Sequence, residues 1–408
     1  MPIRGIINIP GDKSIAHRAL IISALIPGEN NITNLPRGLD VGNTMDCLKH
    51  IGIQVYSTKN TVLVKGNTFK QPTEPLYCGN SGTTMRILSG LLGGLNIPSK
   101  LIGDKSLSNR PMDRIIEPLT NMGINIYSNS GRAPIKIKKS NKFSNLEYEM
   151  KVPSAQVKSS LLLAGVCANK KITIREEYPS RNHTEVMLKN IGYNIINKGN
   201  KIIFNPLGEQ IKNIDTNIPG DISSASFFIG AACMIPNSDI IIKDLLINNT
   251  RMGFIKILKK MGAGIIIKNR RTIDGEEIGD IQVYYKPLYG VDINAKDIPF
   301  IIDELPILSV VATQAEGMTI ISGAQELRYK ETDRINAIVS NLKAMGVKAI
   351  DKKDGLMIEG PSILRKADIR SYNDHRIAMS FIIAGISSGN YNVINNTDCI
   401  SSSFPEFN

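Results

Sequence analysis

The sequence contains no tryptophan and few other aromatic residues, with 12 Tyr and 10 Phe among 408 residues. Proteins that bind nucleic acid by stacking its bases usually place aromatic side chains among basic ones, so this scarcity disfavours that mode of binding. The formal net charge of +12 still suits either nucleic acid or a small anionic substrate. Much of the lysine excess lies in hairpin-like stretches such as IKIKKSNK and IIIKNRR, as on exposed strand edges. Charge alone does not decide between the two partners.

Metal-binding and targeting motifs are also missing. The five cysteines form no CxxC pair and the four histidines form no cluster with them, which argues against a built-in zinc site. Apolar runs around several cysteines, such as LLLAGVCA and IGAACMI, are typical of reduced, buried thiols. No signal peptide precedes residue 10, and no apolar run reaches membrane-spanning length. We therefore expect a cytoplasmic protein that binds neither a metal nor a membrane.

The common nucleotide and hydrolase motifs do not occur either. The chain has no GxxxxGKS loop, no GxGxxG motif and no Ser-His-Asp order typical of a catalytic triad. What it does contain is a repeat, in which an amphipathic helix ends at a glycine and an alternating apolar strand follows. The five copies are MDCLKHIGIQVY, IEPLTNMGINIY, EVMLKNIGYNII, FIKILKKMGAGIII and IVSNLKAMGVKAI. Their glycines, at positions 52, 123, 192, 262 and 346, are spaced by 71, 69, 70 and 84 residues.

A second kind of helix recurs with a similar rhythm. It starts at a polar or glycine turn and continues with small and apolar residues on all faces, as a buried helix does. Its six starts are GDKSIAHRALIISAL, GNSGTTMRILSGLLG, PSAQVKSSLLLAGV, PGDISSASFFIGAA, DELPILSVVA and NDHRIAMSFIIAGI. Each unit is thus predicted to hold one buried helix, one exposed helix and several strands. The sixth exposed helix is missing where the chain reaches SSSFPEFN, so we expect the last unit to be incomplete.

The length favours two domains, and an internal echo indicates where they join. PGDKS at 10–14 recurs as PGDIS at 219–223, with three units between these points and about three after the second. We predict an N-terminal lobe at 13–219 and a second lobe formed by 1–12 and 220–408, joined by two crossings.

The buried helices carry their polar residues at their N-termini, where free N–H groups and the helix dipole favour phosphate and carboxylate. The sequence adds cations around these ends: Lys13, Arg18, Arg86, Lys158, Lys330, Arg334, Arg376 and, in the loop GDKSLSNRPMDR, Arg110. If the helix starts of both lobes face one another, the cleft between them is strongly positive. Asp303 and Glu331 are then candidates for acid and base, with Lys13 and Lys330 nearby.

Each of these motifs also has an ordinary structural explanation. GNSGTT is a common glycine-rich turn, and His17 and His375 are typical helix-end residues. The charged pairs of YKETDR are typical of surface helices, and Asp303 and Glu304 can cap DELPILSVV. Six such helix starts in one repeat frame nevertheless favour an anion site. From the residues alone we infer an enzyme that binds two anionic small molecules between two lobes, without metal or nucleotide.

At this point the motifs resemble a known family. The segments PGDKSIAHRA, GNSGTTMR, GDKSLSNRPMDR, SAQVKSSLLLAG, SRNHTEVML, PGDISSASFF, DELPIL, LRYKETDRI and NDHRIAMSF are similar, in order and along nearly the whole chain, to the 5-enolpyruvylshikimate-3-phosphate synthase family. SAQVKS and SRNHTE resemble the bacterial subgroup that includes glyphosate-tolerant members. The resemblance implies a two-lobed, inside-out α/β barrel of six βαβαββ repeats and a monomer. It also implies transfer of the enolpyruvyl group of phosphoenolpyruvate to the 5-hydroxyl of shikimate 3-phosphate, without a metal or organic cofactor.

The resemblance also implies roles for individual residues. Those expected to bind shikimate 3-phosphate are Lys13, Ser14, Arg18, Ser154, Ala155, Gln156, Arg181, Asp303 and Lys330. Those expected to bind phosphoenolpyruvate are Lys13, Gly82, Arg110, Gln156, Arg334 and Arg376, since the planar fork of arginine matches carboxylate and phosphate. Asp303 would accept the proton of the 5-hydroxyl, Glu331 would protonate and later deprotonate the methylene carbon, and Lys13 would stabilise the leaving phosphate.

The chain departs from the family pattern near its end. In addition, the residue at position 82 predicts how the protein responds to glyphosate. Many members carry a lysine before a TFP or SFP motif, where this chain has Ser401–Ser403 and Phe404, so one phosphoenolpyruvate contact is not supplied. The usual final helix and strand do not follow Asn408, and we expect an open flank on the second lobe. Tolerant members often have alanine at the position of Gly82, so the glycine predicts sensitivity to glyphosate.

Two alternatives remain at this level. A UDP-N-acetylglucosamine enolpyruvyl transferase would share the fold, but it usually carries a cysteine in the loop that reads GDKSLSNRP here and lacks GDKSxxHR. A non-enzymatic nucleic-acid-binding protein would show strongly salt-dependent binding and no turnover. The ordered cations at helix starts, rather than in a basic tail, argue against it.

Overall fold

The computed structural model describes residues 1–206, 211–390 and 392–407. The chain forms two compact units. We call Lys13–Ile218 the continuous unit and Met1–Asp12 with Pro219–Asn408 the split unit. The predicted boundary had placed residue 219 with the continuous unit, which was wrong by one residue. The carbonyl of Pro219 accepts a hydrogen bond from the amide of Asp12 at 2.7 Å, so the two crossings of the chain pair with each other.

Helices and strands alternate along both units. The α-helices are α1 (Lys13–Ser23), α2 (Leu39–His50), α3 (Gly82–Gly94), α4 (Lys105–Ser108), α5 (Asp113–Asn121), α6 (Ala155–Ala168), α7 (His183–Asn190), α8 (Ile222–Met234), α9 (Gly253–Lys260), α10 (Leu305–Ala312), α11 (Arg334–Ala344) and α12 (His375–Ser388). Short 3-10 helices occupy Ile298–Phe300, Gln325–Tyr329, Thr397–Ser402 and Pro405–Phe407.

The strands are β1 (Arg4–Ile7), β2 (Gly28–Thr33), β3 (Gln54–Ser57), β4 (Thr61–Gly66), β5 (Leu76–Tyr77), β6 (Ser99–Ile102), β7 (Ile126–Asn129), β8 (Arg132–Ile137), β9 (Leu146–Met150), β10 (Ile172–Glu176), β11 (Asn194–Lys198), β12 (Lys201–Asn205), β13 (Asp215–Asn217), β14 (Asp239–Leu246), β15 (Gly264–Ile273), β16 (Glu276–Tyr284), β17 (Leu288–Tyr289), β18 (Asp292–Ile293), β19 (Ala315–Ile321), β20 (Ala349–Lys352), β21 (Gly355–Gly360), β22 (Asp368–Arg370) and β23 (Val393–Asn395).

The continuous unit contains three sheets of one design. Their strand orders are β13-β2-β4-β3, β5-β6-β8-β7 and β9-β10-β12-β11, and in each the first two strands are parallel and the others antiparallel. The first sheet takes its opening strand from the far end of the unit, since Asp215 of β13 pairs with Asn31 of β2. Each sheet is therefore one βαβαββ copy, and the first copy is closed by the last strand of the unit.

The split unit repeats the design with two variations. Its first sheet, β1-β14-β16-β15, takes its opening strand from the N-terminus, where Arg4 pairs with Asp239. Its second sheet, β17-β19-β21-β20, adds β18 beside β19. Its third consists of β22 and β23 alone among the described residues. The sixth copy is therefore incomplete in this part of the chain, as the repeat count predicted.

The apolar helices pack on one another inside each unit, as their sequences predict. In the split unit α8, α10 and α12 pack on one another, and in the continuous unit α3 packs against α1 and α6. The amphipathic helices α2, α5, α7, α9 and α11 each end two residues before one of the five repeat glycines, whose φ angles lie between +83° and +111°. At Gly123 a Cβ atom would lie 2.4 Å from the carbonyl oxygen of Lys142, so both conformation and space require glycine. The chain thus has the inside-out α/β fold, with apolar helices inside its sheets.

The segment after β23 packs against α8 through two aromatic rings. Phe404 is 3% exposed, and its ring lies 6.3 Å from that of Phe228 in α8. The ring of Phe407 lies 5.5 Å from that of Phe227. Burial of these rings stabilises the split unit, and the open flank beside the two-stranded sheet stays a prediction. Among the described residues, no helix has both the length and the apolar character needed to cross a membrane.

Candidate functional site

The N-terminus of α1 presents Lys13 beside an acid that the sequence did not reveal. The Nζ atom of Lys13 donates to Oδ2 of Asp40 in α2 at 3.0 Å. The two side chains are 21% and 12% exposed, so the ammonium group is oriented but still reaches solvent. Asp40 lies 27 residues along the chain from Lys13, and no local pattern connects the two.

Arg18, one turn further along α1, joins three helix starts in the interior. Its side chain is 1% exposed. Its Nε donates to Oγ1 of Thr184 at 2.8 Å, and Nη1 donates to the carbonyl and hydroxyl of Ser14 at 2.8 and 2.7 Å. Its Nη2 donates to Oγ of Ser159 at 2.8 Å and to the carbonyl of Ala155 at 3.2 Å. Arg18 therefore lies between two other predicted residues, Ser14 and Ala155, and orients both.

The start of α6 is connected to that of α3 through Gln156. Ser154 caps α6 by accepting from the amide of Val157 at 3.4 Å. The amide of Gln156 donates from Nε2 to Oγ1 of Thr83 at 2.9 Å and accepts at Oε1 from Nη1 of Arg86 at 2.5 Å. In the sequence Arg86 is one of the cations expected near helix starts, and the resemblance gives it no substrate role. The structure places it beside Gln156.

Gly82, the first residue of α3, lies against two arginines. A Cβ atom at this position would lie 2.8 Å from Nη1 of Arg86 and 3.5 Å from Nη1 of Arg110. Arg110 donates to the side chains of Asn80 and Ser106. The absence of a side chain at Gly82 therefore allows the two guanidinium groups to lie close to the start of α3.

His17 belongs to a buried chain of hydroxyl groups that leads to the start of α3. Its side chain is 1% exposed, and Nδ1 lies 2.7 Å from Oγ1 of Thr44, which lies 2.7 Å from Oγ1 of Thr84. Thr84 in turn donates to Ser81, the cap of α3, at 2.7 Å. This arrangement supports the ordinary explanation of His17 as a structural residue.

The split unit gathers carboxylates and arginines at the starts of α10, α11 and α12. Oδ1 of Asp303 lies 3.7 Å from Nη1 of Arg334, and Oδ2 lies 3.8 Å from Nη2 of Arg376. Arg376 also donates to the carbonyl of Asp303 at 3.0 Å. Arg334 donates to Glu331 and to Asp374, both at 2.7 Å. Four predicted residues thus form one cluster, with Asp374 as an unpredicted fifth member.

Asp374 is buried and has two tasks. Its carboxylate caps α12 by accepting from the amides of Arg376 and Ile377 at 2.9 and 3.4 Å. The same carboxylate binds Arg334. An aspartate directly before a predicted helix is a typical cap, and this signal in NDHRIAM could have revealed its first task.

Charge and burial at this cluster set the protonation of its cations. Burial opposes the charge of Arg334, but Asp374 and Glu331 outweigh it and raise the pKa of Arg334 above its usual value. Burial lowers the pKa of the half-buried Lys330, against the attraction of Asp303. The surface-pair explanation of YKETDR was wrong for Glu331 and Arg334, because Arg334 is 1% exposed.

The capping explanation of Glu304 was also wrong. Glu304 occupies the cap position of α10, yet its side chain makes no capping hydrogen bond there. Its carboxylate instead accepts from the hydroxyl of Ser223 near the start of α8. That hydroxyl also accepts from Nη2 of Arg251 at 2.9 Å, so Glu304 belongs to a buried network.

The same network joins the two crossings of the chain. Nη2 of Arg251 lies 3.0 Å from Oδ2 of Asp12 and 2.9 Å from Oδ1 of Asp221, the aspartates of the echoed PGD motifs. Asp221 also caps α8 by accepting from the amide of Ser223 at 2.8 Å. Burial and the nearby Asp12 raise the pKa of Asp221 to about 6. The start of α8, which lacks a cation of its own, obtains one from 30 residues further along the chain.

Lys158 is the predicted helix-start cation that is paired with carboxylates in the interior of its own unit. Its side chain is buried, and Nζ lies 2.6 Å from Glu176 and 2.8 Å from Glu185. Two carboxylates neutralise its charge, so its assignment to an anion-attracting surface was wrong. Among the described residues, no group of three or more His, Cys, Asp or Glu side chains is placed to hold a metal ion.

Comparisons with known proteins identify what these clusters resemble. The family model of EPSP synthase (3-phosphoshikimate 1-carboxyvinyltransferase) matches residues 1–408. A protein named 3-phosphoshikimate 1-carboxyvinyltransferase from Thermoanaerobacter sp. (strain X514) is 43% identical over 99% of this chain and 96% of its own length. One of the same name from Petrotoga mobilis is 45% identical over 98% of this chain and 94% of its own length.

Solved structures agree with these matches. The EPSP synthase from Acinetobacter baumannii superposes with a TM-score of 0.87 at 38% identity, covering 100% of this chain and 94% of that one. The enolpyruvyl transferase NikO from Streptomyces tendae superposes with a TM-score of 0.79 at 15% identity, covering 99% and 93%, which supports the fold alone.

Proposed function

Because the chain belongs to the EPSP synthase family, an enzyme family of the shikimate pathway, we propose a division of that family's reaction among the residues described above. The enzyme transfers the enolpyruvyl group of phosphoenolpyruvate to the 5-hydroxyl of shikimate 3-phosphate and releases phosphate. The reaction needs sites for two anionic substrates, a base for the hydroxyl, an acid for the methylene carbon and a cation for the leaving phosphate. The two units supply different parts of this set.

The continuous unit binds shikimate 3-phosphate with Lys13, Ser14, Ser154, Ala155, Gln156 and Arg181, and Arg18 acts with them. The starts of α1 and α6 supply N–H groups and the positive end of each helix dipole. Arg18 supports this role because it bonds both Ser14 and Ala155. Asp303 and Lys330 of the split unit contact the same substrate.

Phosphoenolpyruvate is bound mainly by arginine. Arg110 of the continuous unit and Arg334 and Arg376 of the split unit bind its carboxylate and phosphate, as planar guanidinium groups do. Gly82 lies against the substrate, since a side chain there would meet the arginine groups. Lys13 and Gln156 complete the set.

Three proton transfers follow, during which one C–O bond forms and another breaks. Asp303 accepts the proton of the 5-hydroxyl as its oxygen bonds to C2 of phosphoenolpyruvate, while Glu331 donates a proton to C3. Glu331 then removes a proton from C3 as the C2–O bond to phosphate breaks, and Lys13 stabilises the departing charge. The observation that carries this proposal is the cluster in which Arg334 contacts both Asp303 at 3.7 Å and Glu331 at 2.7 Å.

We further infer that the enzyme acts as a monomer in the cytoplasm, without metal or organic cofactor. Beside the C–O bond that forms and the one that breaks, the steps above are proton transfers and stabilisation of charge, for which these side chains suffice. The five cysteines are free thiols rather than disulfides, which fits a reducing compartment.

The test is turnover. Purified enzyme with shikimate 3-phosphate and phosphoenolpyruvate should release phosphate, and replacement of shikimate 3-phosphate by UDP-N-acetylglucosamine should abolish release. Asp303→Asn should lower kcat by about 10²–10⁴-fold because it removes the base. The exposed Asp292 of the same unit provides the control Asp292→Asn, with kcat unchanged. Full activity of Asp303→Asn would contradict the role of Asp303.

A further inference from the structure

Lys158 uses all of its hydrogen-bonding capacity on one short stretch of chain. A lysine ammonium has three N–H groups and no acceptor. Here Nζ lies 2.6 Å from Oε1 of Glu176, 2.8 Å from Oε1 of Glu185 and 3.3 Å from the carbonyl oxygen of Ser180. One ammonium group thus has one acceptor for each of its protons.

The three acceptors belong to consecutive pieces of the chain. Glu176 ends β10, Ser180 lies in the connecting segment 177–182, and Glu185 lies in the first turn of α7. The second oxygen of Glu176 accepts from the amide of Ser180 at 3.0 Å and from its hydroxyl at 2.5 Å. The segment is therefore held at its beginning, its middle and its end.

The anchor of this segment is the helix that starts at the proposed substrate site. The amide of Lys158 donates to the carbonyl of Ser154 at 3.0 Å, so the lysine lies one turn inside α6 from Ser154. Segment 177–182 carries Arg181. The ammonium group thus connects the loop of Arg181 with the helix turn that presents Ser154 and Gln156.

The charges at this anchor persist although it is buried. Lys158, Glu176 and Glu185 are 1%, 3% and 2% exposed. Burial disfavours the charged lysine, but the two carboxylates outweigh it and raise its pKa. Hydrogen bonds between charged groups are shorter and stronger than those between neutral groups, and such a buried pair costs stability when one partner is removed.

We propose that Lys158, Glu176 and Ser180 form a positioning network that holds Arg181 in register with the start of α6 and so sets the affinity for shikimate 3-phosphate. The proposal rests on the function proposed above for Arg181, Ser154 and Gln156. None of the three network residues needs to touch the substrate. They act through the loop that they hold.

Two glutamates offer a matched pair of variants. Glu176→Gln and Glu185→Gln each remove one negative charge next to Lys158. Glu176 accepts at both oxygens, so a glutamine there loses either the lysine or the bonds to Ser180. The Oε2 atom of Glu185 makes no hydrogen bond within the described residues, so a glutamine can place its NH₂ group there and keep the oxygen that faces Lys158.

The affinity for shikimate 3-phosphate separates the two variants. The chain has no tryptophan, so isothermal titration calorimetry is preferable to intrinsic fluorescence. Loss of hydrogen bonds of this kind corresponds to a Kd about 10-fold higher for Glu176→Gln. Glu185→Gln should stay within about twofold of the unchanged protein, and the KM for phosphoenolpyruvate should remain unchanged in both.

A second measurement does not depend on activity. Hydrogen exchange at the Ser180 amide should be faster in Glu176→Gln than in Glu185→Gln, because in either orientation of the glutamine the segment loses the lysine or the bonds to Ser180 that hold it. If Glu176→Gln does not fold, Ser180→Ala, which removes only the hydroxyl bond, should raise the Kd by about threefold. Equal Kd values and equal exchange in the two glutamine variants would overturn the network. Failure of the unchanged protein to bind shikimate 3-phosphate, with the exchange difference intact, would overturn the proposed function instead.

Discussion

The two units are built from the same repeat but surround their buried arginines differently. In the continuous unit, Arg18 donates to hydroxyl and carbonyl oxygens of Ser14, Ala155, Ser159 and Thr184. In the split unit, Arg334 contacts three carboxylates, those of Asp303, Glu331 and Asp374. Both arginines are 1% exposed, so burial does not explain the difference.

The difference between the two arginines lies in the chemical groups that accept their hydrogen bonds. Hydroxyl and carbonyl groups orient a guanidinium group without cancelling its charge. Carboxylates both orient the guanidinium group and neutralise its charge. On the proposal above, the first arrangement suits binding of an anion. The second holds two carboxylates in place for proton transfer. One repeat therefore supports two kinds of chemistry, and the choice is made by residues that the repeat itself does not specify.

The sharpest test of this comparison is the stability cost of removing each arginine. Arg334→Met leaves the buried Asp374 without its ion-pair partner and should lower the free energy of unfolding by about 3–5 kcal/mol. Arg18→Met leaves hydroxyls that can bond one another, since Ser159 and Thr184 already lie 2.6 Å apart, and should cost about 1–3 kcal/mol. Urea unfolding followed by circular dichroism measures both. Equal losses would break the distinction between the units.

The acidic character of the split unit should also appear in its pH dependence. Because the pKa of Asp221 is raised to about 6 from its usual value near 4, the folded state binds the proton more tightly than the unfolded state between those values. The free energy of unfolding should therefore fall as pH rises from about 4 to about 6 and level off above, with a total change of about 2–3 kcal/mol.

Asp221→Asn should remove this component. Urea unfolding at pH 4.5, 5.5 and 7 should show the difference between the unchanged protein and Asp221→Asn changing with pH. The exposed Asp215 of the continuous unit supplies the control, and Asp215→Asn should leave the profile as it was. A pH-independent difference for Asp221→Asn would show that its carboxyl group does not titrate in this range.

The smallest effect concerns Gly82 in the continuous unit. Gly82→Ala places a Cβ atom 2.8 Å from Nη1 of Arg86, which the flexible arginine can accommodate only by shifting. We expect glyphosate to inhibit the unchanged enzyme at micromolar concentration. Its inhibitory concentration should rise by about 10-fold in Gly82→Ala, an effect of about 1.4 kcal/mol.

Gly42 in α2 provides the matching control, because a Cβ atom there meets nothing within 4 Å. Phosphate release at increasing glyphosate should be the same for Gly42→Ala as for the unchanged enzyme. Resistance of the unchanged enzyme at micromolar glyphosate would contradict the role given to Gly82.

The predictions that succeeded were local ones. The five helix-ending glycines all adopt positive φ, because a left-handed cap is a property of a few consecutive residues. Apart from the one-residue shift of the boundary between the units, the predictions that failed concerned charges. Nothing within one turn of Lys158 shows that Glu176 lies 2.6 Å from its ammonium group, and Glu304 looked like a cap because capping is the only role a local pattern can reveal.

The amino-acid sequence by itself determined the helices that are buried, the helices that are exposed, the count of repeats and the family, since these depend on periodicity and on motifs of a few residues. Only the tertiary structure decided which strand completes each sheet and which acid meets each cation. Asp215 pairs with Asn31 and Arg4 with Asp239, and Asp40 meets Lys13. Such contacts form when segments far apart in the sequence pack together. The residues next to a charge or a strand edge therefore do not indicate which group it will contact.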